Sequence, residues 1–136
     1  MRILPEIEAT RQAGGAIVAL ESTLIGHGLP HPDNIEVARS AEAAVRGSGA
    51  VPATMAVLDG VAHVGLDDDT INRLATTPGV VKLSRRDLPA ALSGASSMPA
   101  VGATTVSATM ILAHQADISV FATGGIGGVH LSLIHI

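Results

Sequence analysis

Four short apolar-rich runs, each cut off by polar or glycine-rich residues, constrain this chain most. Residues 16–20 end in Glu21-Ser22-Thr23, and residues 51–58 end in Asp59-Gly60. Residues 80–83 end in Ser84-Arg85-Arg86-Asp87, and residues 118–122 end in Thr123-Gly124-Gly125. Runs of this length flanked by turn residues read as buried strands. Helical spacing lies between them: residues 5–13 after Pro5, a stretch from Asp33 or Asn34 as cap to about Arg46, and Asp67 through Leu74. Asp59-Gly60 is a hairpin signal with 61–65 as the returning strand. Residues 88–99 mix helix and loop. Gly102-Ala103-Thr104-Thr105 is expected to open a helix running to about Gln115. Strands alternating with helices define an α/β layer fold, and the hairpin makes its sheet mixed.

The 136 residues suggest one domain, able to bury roughly two-thirds of its unfolded surface. With 47% hydrophobic and 15% charged residues, the chain has ample apolar surface to offset ordering entropy. One Phe and no Trp or Tyr argue against a base-stacking platform, and a net charge of −4 provides no basic field for a nucleic-acid polymer. The absence of cysteine excludes thiolate chemistry in these residues. No apolar run approaches a membrane span, and the N-terminus lacks the apolar centre of a signal peptide. A soluble, cytoplasmic protein is expected.

Ligands in open α/β sheets gather at the carboxyl ends of strands, which directs attention to four segments. Glu21 follows five apolar residues; it reads either as a partly desolvated general acid or as a structural carboxylate. Lys82 is the sole lysine and stands where a strand ends. It reads as a group for a substrate hydroxyl, phosphate or carbonyl, or as a snorkelling edge lysine. Thr104 and Thr105, at the expected helix start, are candidates for a phosphate neighbourhood or simple caps. The 124–128 glycines lack the helix and acidic partner of a dinucleotide fingerprint and read as a tight turn. His27 and His31 are four apart, but the intervening Gly and Pro oppose a helix, and no metal-ligand spacing is present. Asp67-Asp68-Asp69 reads as a solvated helix start.

Six blocks carry a resemblance. They are Ala19-Leu-Glu-Ser-Thr, Gly26-His-Gly-Leu-Pro, Gly49-Ala-Val-Pro-Ala-Thr, Lys82-Leu-Ser-Arg-Arg-Asp-Leu-Pro, Gly102-Ala-Thr-Thr-Val and Phe121-Ala-Thr-Gly-Gly-Ile-Gly-Gly-Val-His. In this order, over residues 16–130, the chain resembles the pseudouridine-5′-phosphate glycosidase family. The resemblance implies a three-layer α/β/α fold and a homotrimer. The implied reaction is reversible cleavage of the C–C glycosidic bond of pseudouridine 5′-phosphate to uracil and ribose 5-phosphate, through a lysine Schiff base. It makes Glu21 the proton donor, Lys82 a substrate-binding lysine rather than the Schiff-base one, and Val106 a substrate contact through its backbone. It also implies a divalent metal, typically manganese.

Two departures stand out. The stretch between Pro89 and Gly102 looks a few residues longer than the family pattern. After His130 the family continues with a metal-binding Asp and the nucleophilic lysine, whereas here the chain reads Leu-Ser-Leu-Ile-His-Ile. That tail translates CTG TCT CTT ATA CAC ATC, a string resembling a transposase end used in sequencing libraries. The expectation is that 1–130 form the N-terminal part of one domain, that 131–136 are non-native, that no metal ligand lies in these residues, and that this piece is inactive alone. Two alternatives stand beside this reading: a related C-glycoside-forming enzyme, and a non-catalytic sugar-phosphate-binding module.

Overall fold

The computed structural model describes residues 1–94 and 98–126. In chain order the elements are β1 (Arg2–Ile3), α1 (Pro5–Gln12), β2 (Ile17–Leu20), α2 (Asp33–Gly47), β3 (Val51–Leu58) and β4 (Val61–Val64). They continue with α3 (Asp68–Thr76), β5 (Val81–Leu83), α4 (Leu88–Leu92), β6 (Val101–Thr104), α5 (Val106–Gln115) and β7 (Val120–Ala122). A single wide helical turn, Leu24–Gly28, links β2 to α2. Glycines 127 and 128, His130 and the 131–136 tail lie outside the described residues.

Strand β3 organises the sheet because it is long enough to take different partners along its length. Its first half pairs with parallel β2, from Ile17↔Val51 to Leu20↔Thr54. Its second half pairs with antiparallel β4 on one edge and antiparallel β6 on the other. β1 extends the sheet beside β4, β5 beside β6 and β7 beside β2, all in parallel. The sheet is therefore mixed, as the hairpin signal implied. Asp59 and Gly60 close that hairpin with φ of 51° and 77°, the left-handed pair a two-residue turn requires.

Alternation along β3 sends side chains to opposite faces. Ala53 and Met55 pack with Ile7 and Leu112, and Val57 packs with Leu88 and Ala108. Ala56 and Leu58 pack with Ile25, Ala38, Ile71 and Leu74. Helices α1, α4 and α5 thus cover one face, and α2, α3 and the wide turn cover the other. This is the expected three-layer α/β/α arrangement. Among the described residues no helix is long and apolar enough to cross a membrane.

Two local expectations are corrected. Residues 101–104 form strand β6, not a helix opening, and α5 starts only at Val106. Four residues broken by a glycine carry no readable periodicity; pairing on both edges, with β3 and β5, makes them a strand. The wide turn Leu24–Gly28 fills most of the interval between β2 and α2. Helix α2 has no side-chain cap, because Asn34 points inward. Its Nδ2 donates to Ile25 O at 2.9 Å and Ala75 O at 3.1 Å, tying the turn and α3 together. The two-residue β1 is too short for any sequence signal. By contrast, Asp67 caps α3 as its position suggested, accepting from the Thr70 amide at 2.8 Å.

Candidate active site

Strands β2 and β6 run along the same edge of β3 from opposite directions, and their carboxyl ends meet. The Ser22 amide donates to Thr104 O at 3.2 Å, and the Thr104 amide donates to Ser22 Oγ at 2.9 Å. Thr23 Oγ1 adds a bond to Thr104 O at 2.9 Å. Ser22, Thr104 and Thr109 are wholly buried. Thr104 Oγ1 donates to Met55 O at 2.7 Å and accepts from Thr109 Oγ1 at 2.9 Å, so the network satisfies itself.

This junction gathers the four segments singled out from the sequence. On one side, Thr123, just after β7, donates to Glu21 Oε1 at 2.5 Å. On the other, Thr105 returns to the end of β5: its amide and its hydroxyl both donate to Leu83 O at 2.9 Å. The Arg85 amide then donates to Ser107 Oγ at 3.2 Å. A continuous path of hydrogen bonds runs from Thr123 through Glu21-Ser22 and Thr104-Thr105 to Leu83.

Each candidate side chain has a definite place on that path. Glu21 is half-buried and lines a cavity of about 110 Å³, formed otherwise mainly by apolar groups from β2, α2 and the wide turn. Among the described residues its carboxylate makes no hydrogen bond besides that to Thr123, so one oxygen remains for a ligand. Lys82 is exposed, paired in register with Ala103, and has no hydrogen-bond or ion-pair partner among the described residues. Val106 is the first residue of α5 and half-buried, and no side chain caps that helix. Its leading amides thus have no side-chain cap. Thr105 is half-buried with its hydroxyl committed to Leu83. Thr104 turns into the core, its hydroxyl spent on Met55 and Thr109, so its role is to hold the junction.

Three groups were missed in the sequence. Thr123, read only as the start of a turn, orients Glu21. Glu42 of α2 receives a 2.5 Å hydrogen bond from Thr54, which also lines the Glu21 cavity. Burial pushes the Glu42 carboxyl above the usual range, against the opposing pull of that bond. Its signal was a carboxylate four residues after Ala38, on the apolar stripe of the helix. His27 lies near the end of the wide turn. Partial burial, and then the Lys82 charge, lower its pKa, while the nearby backbone of Val80 and Val81 opposes them.

Among the described residues no group of three or more His, Asp or Glu side chains converges to hold a metal. The described residues do not fit the divalent ion implied by the resemblance.

The family model described as Indigoidine synthase A like protein matches residues 6–135. The chain belongs to this family. Curated relatives agree with the six-block resemblance. The chain is 60% identical over 130 residues to a pseudouridine-5′-phosphate glycosidase of Rhodospirillum centenum, covering 96% of this chain and 39% of that protein. It is 55% identical over 130 residues to one of Roseobacter denitrificans, covering 96% and 41%. The chain therefore spans about two-fifths of the length of these relatives. Among solved structures it is similar to the prealnumycin C-glycosynthase AlnA in complex with ribulose 5-phosphate, at 44% identity and a TM-score of 0.81, over 95% of this chain and 40% of that one. It is also similar to an indigoidine synthase A-like protein of Thermotoga maritima, at 33% identity and a TM-score of 0.74, over 85% and 38%. Members of this family are thus named both for breaking and for making C-glycosides.

Proposed function

We propose that this chain supplies the acid and sugar-phosphate part of a pseudouridine-5′-phosphate glycosidase. The observation that carries the reading is the Glu21–Thr123 pair at the meeting point of β2 and β6, beside the uncapped start of α5. A C-glycoside has no heteroatom leaving group, so protonating an oxygen cannot release its base. The bond breaks when the nitrogen of a lysine joined to the opened sugar's C1 gives its lone pair to form the C1 iminium, a Schiff base, as the carbon–carbon bonding pair departs. That lysine is implied by the resemblance and has no counterpart here, since Lys82 is the only lysine in the chain. The bonding pair leaves with the uracil carbon, which takes its proton from Glu21. Thr123 fixes the carboxyl orientation, and Lys82 with the Val106 amide holds the sugar phosphate. The same reading carries manganese, a homotrimer and a cytoplasmic setting as parts of the whole protein, outside the residues described.

The test assays the protein that carries this chain in both directions: pseudouridine 5′-phosphate consumed, and uracil plus ribose 5-phosphate joined. Glu21→Gln is expected to lower the rate by about 10²-fold or more while ribose 5-phosphate still binds. A protein that turns over neither mixture overturns the reading. A second reading, synthesis of another C-glycoside, is favoured by the glycosynthase similarity. It predicts that bases other than uracil are joined faster.

A further inference from the structure

Thr54 stands on β3 as the register partner of Leu20, the residue before Glu21. Thr54 and Glu21 line the same cavity. At about 110 Å³ that space far exceeds the roughly 10–15 Å³ that one water needs, so it can take a small ring. Besides Glu21, the polar side chains that line it are Thr54 and Thr123. Thr123 gives its proton to Glu21. Thr54, only 2% exposed, gives its one hydroxyl proton to Glu42 Oε1 at 2.5 Å, and Glu42 does not line the cavity. A carboxylate only accepts, which fixes the direction of that bond. Among the described residues Thr54 Oγ1 accepts no hydrogen bond. The hydroxyl therefore offers the cavity lone pairs and no proton. A buried acceptor left without a donor is costly, and a ligand N–H removes that cost.

We propose that Thr54 is a specificity-determining residue of the Glu21 cavity, accepting from a ring N–H of a pyrimidine base, and that Glu42 is the positioning residue that holds its hydroxyl in the accepting state. The inference rests on the reading of Glu21 as the acid for the uracil carbon. Uracil carries an N–H two ring atoms from that carbon on either side, so one ring can face both groups. A ring with an acceptor in that place would meet lone pairs instead of a proton. Protonation of Glu42 reverses the arrangement: its O–H can donate to Thr54 Oγ1, which turns the threonine proton toward the cavity. Burial, with Asp68 of α3 and Glu6 of α1, favours that protonated form, whereas the Thr54 bond and Arg46 of α2 oppose it. β3 and the wide turn bring no charged group to the carboxyl. Uracil binding should thus weaken as pH falls through the raised Glu42 value.

The experiment measures the joining of uracil to ribose 5-phosphate by the protein that carries this chain, with KM for each followed against pH. Thr54→Val is expected to raise KM for uracil about tenfold, with far smaller changes in kcat and in KM for ribose 5-phosphate. Thr54→Ser keeps the hydroxyl and should stay near the parent. In the parent, KM for uracil rises in acid. In Glu42→Gln, whose amide oxygen still accepts from Thr54 and gains no proton, that rise should be absent. Should the valine variant unfold, the Glu42→Gln profile decides alone. If Thr54→Val keeps the parent's KM for uracil, or Glu42→Gln shows the parent's acid rise, the inference falls while the Glu21 reading stands on the slow Glu21→Gln variant. A parent that joins no uracil to ribose 5-phosphate removes that reading and this inference with it.

Discussion

Ser22 and Thr104, 82 positions apart in the chain, join two strands end to end through a reciprocal pair of hydrogen bonds at 2.9 and 3.2 Å. Ser22→Ala leaves the buried Thr104 amide without its acceptor and should cost about 1–3 kcal/mol. Thr104→Val strands Met55 O and Thr109 as well, and Thr104→Ser should lose less than either. Equilibrium urea unfolding reads all three; a midpoint for Ser22→Ala equal to the parent's would contradict the account.

Gly65, which follows β4, combines a φ of 83° with close packing against Ile7 of α1 and the preceding Leu4. An added Cβ would lie 2.3 Å from Ile7 Cδ1 and 3.0 Å from Leu4 Cδ1. Strain and overpacking act together, so Gly65→Ala should destabilise by about 2–3 kcal/mol. Thermal unfolding checks it, with Gly79→Ala as comparison: that glycine has a similar φ of 74° but open space around it.

Glu42 gives the fold a pH dependence of a definite sign. Its carboxyl pKa lies above the ordinary 4.5 in the folded state, chiefly through burial. The folded chain therefore keeps this proton to higher pH than the unfolded chain does. The Glu42 contribution is most favourable below pH 4.5 and declines as pH rises through the raised value. Glu42→Gln keeps an acceptor for Thr54 and removes the ionisation. It should stabilise near neutral pH by less than about 1 kcal/mol, since the group is partly screened by solvent, and not in acid. Unfolding curves at several pH values test this; an equal effect at all pH would rule it out.

Strand β7 pairs with β2 and, among the described residues, has nothing on its other edge. Val120 and Met110 are each 56% exposed there, and Ile126 is 76% exposed. An apolar open edge is a template for strand addition. Sedimentation of this chain should show concentration-dependent association, and Val120→Lys should reduce it. A monomer at all concentrations would contradict the expectation.

Much of the scaffold was legible. The strands at 17–20, 51–58 and 61–64, the Asp59-Gly60 turn and the Asp67 cap all follow from local patterns, because each depends on residues adjacent in sequence. Glu21 and Lys82 were also visible, as ionisable groups at the ends of apolar runs. Strand β6 was not, because its identity lies in partners 20 to 50 residues away. The same four residues, Val-Gly-Ala-Thr, carry equally good helix-start signals. Asn34 shows the converse: a residue type suited to capping was diverted by two carbonyls that only the folded chain brings within reach.

What the sequence by itself determined is therefore the alternation of layers, the mixed sheet and the residue types available for chemistry. These rest on periodicity and turn preference, which act over a few residues. The tertiary structure alone decided that β2 and β6 share one edge of β3, and so that Glu21, Thr123, the end of β5 and the start of α5 gather around one junction. Hydrogen bonds across that junction form only after the chain closes large loops. Their geometry is set by three-dimensional packing, to which no local pattern is sensitive.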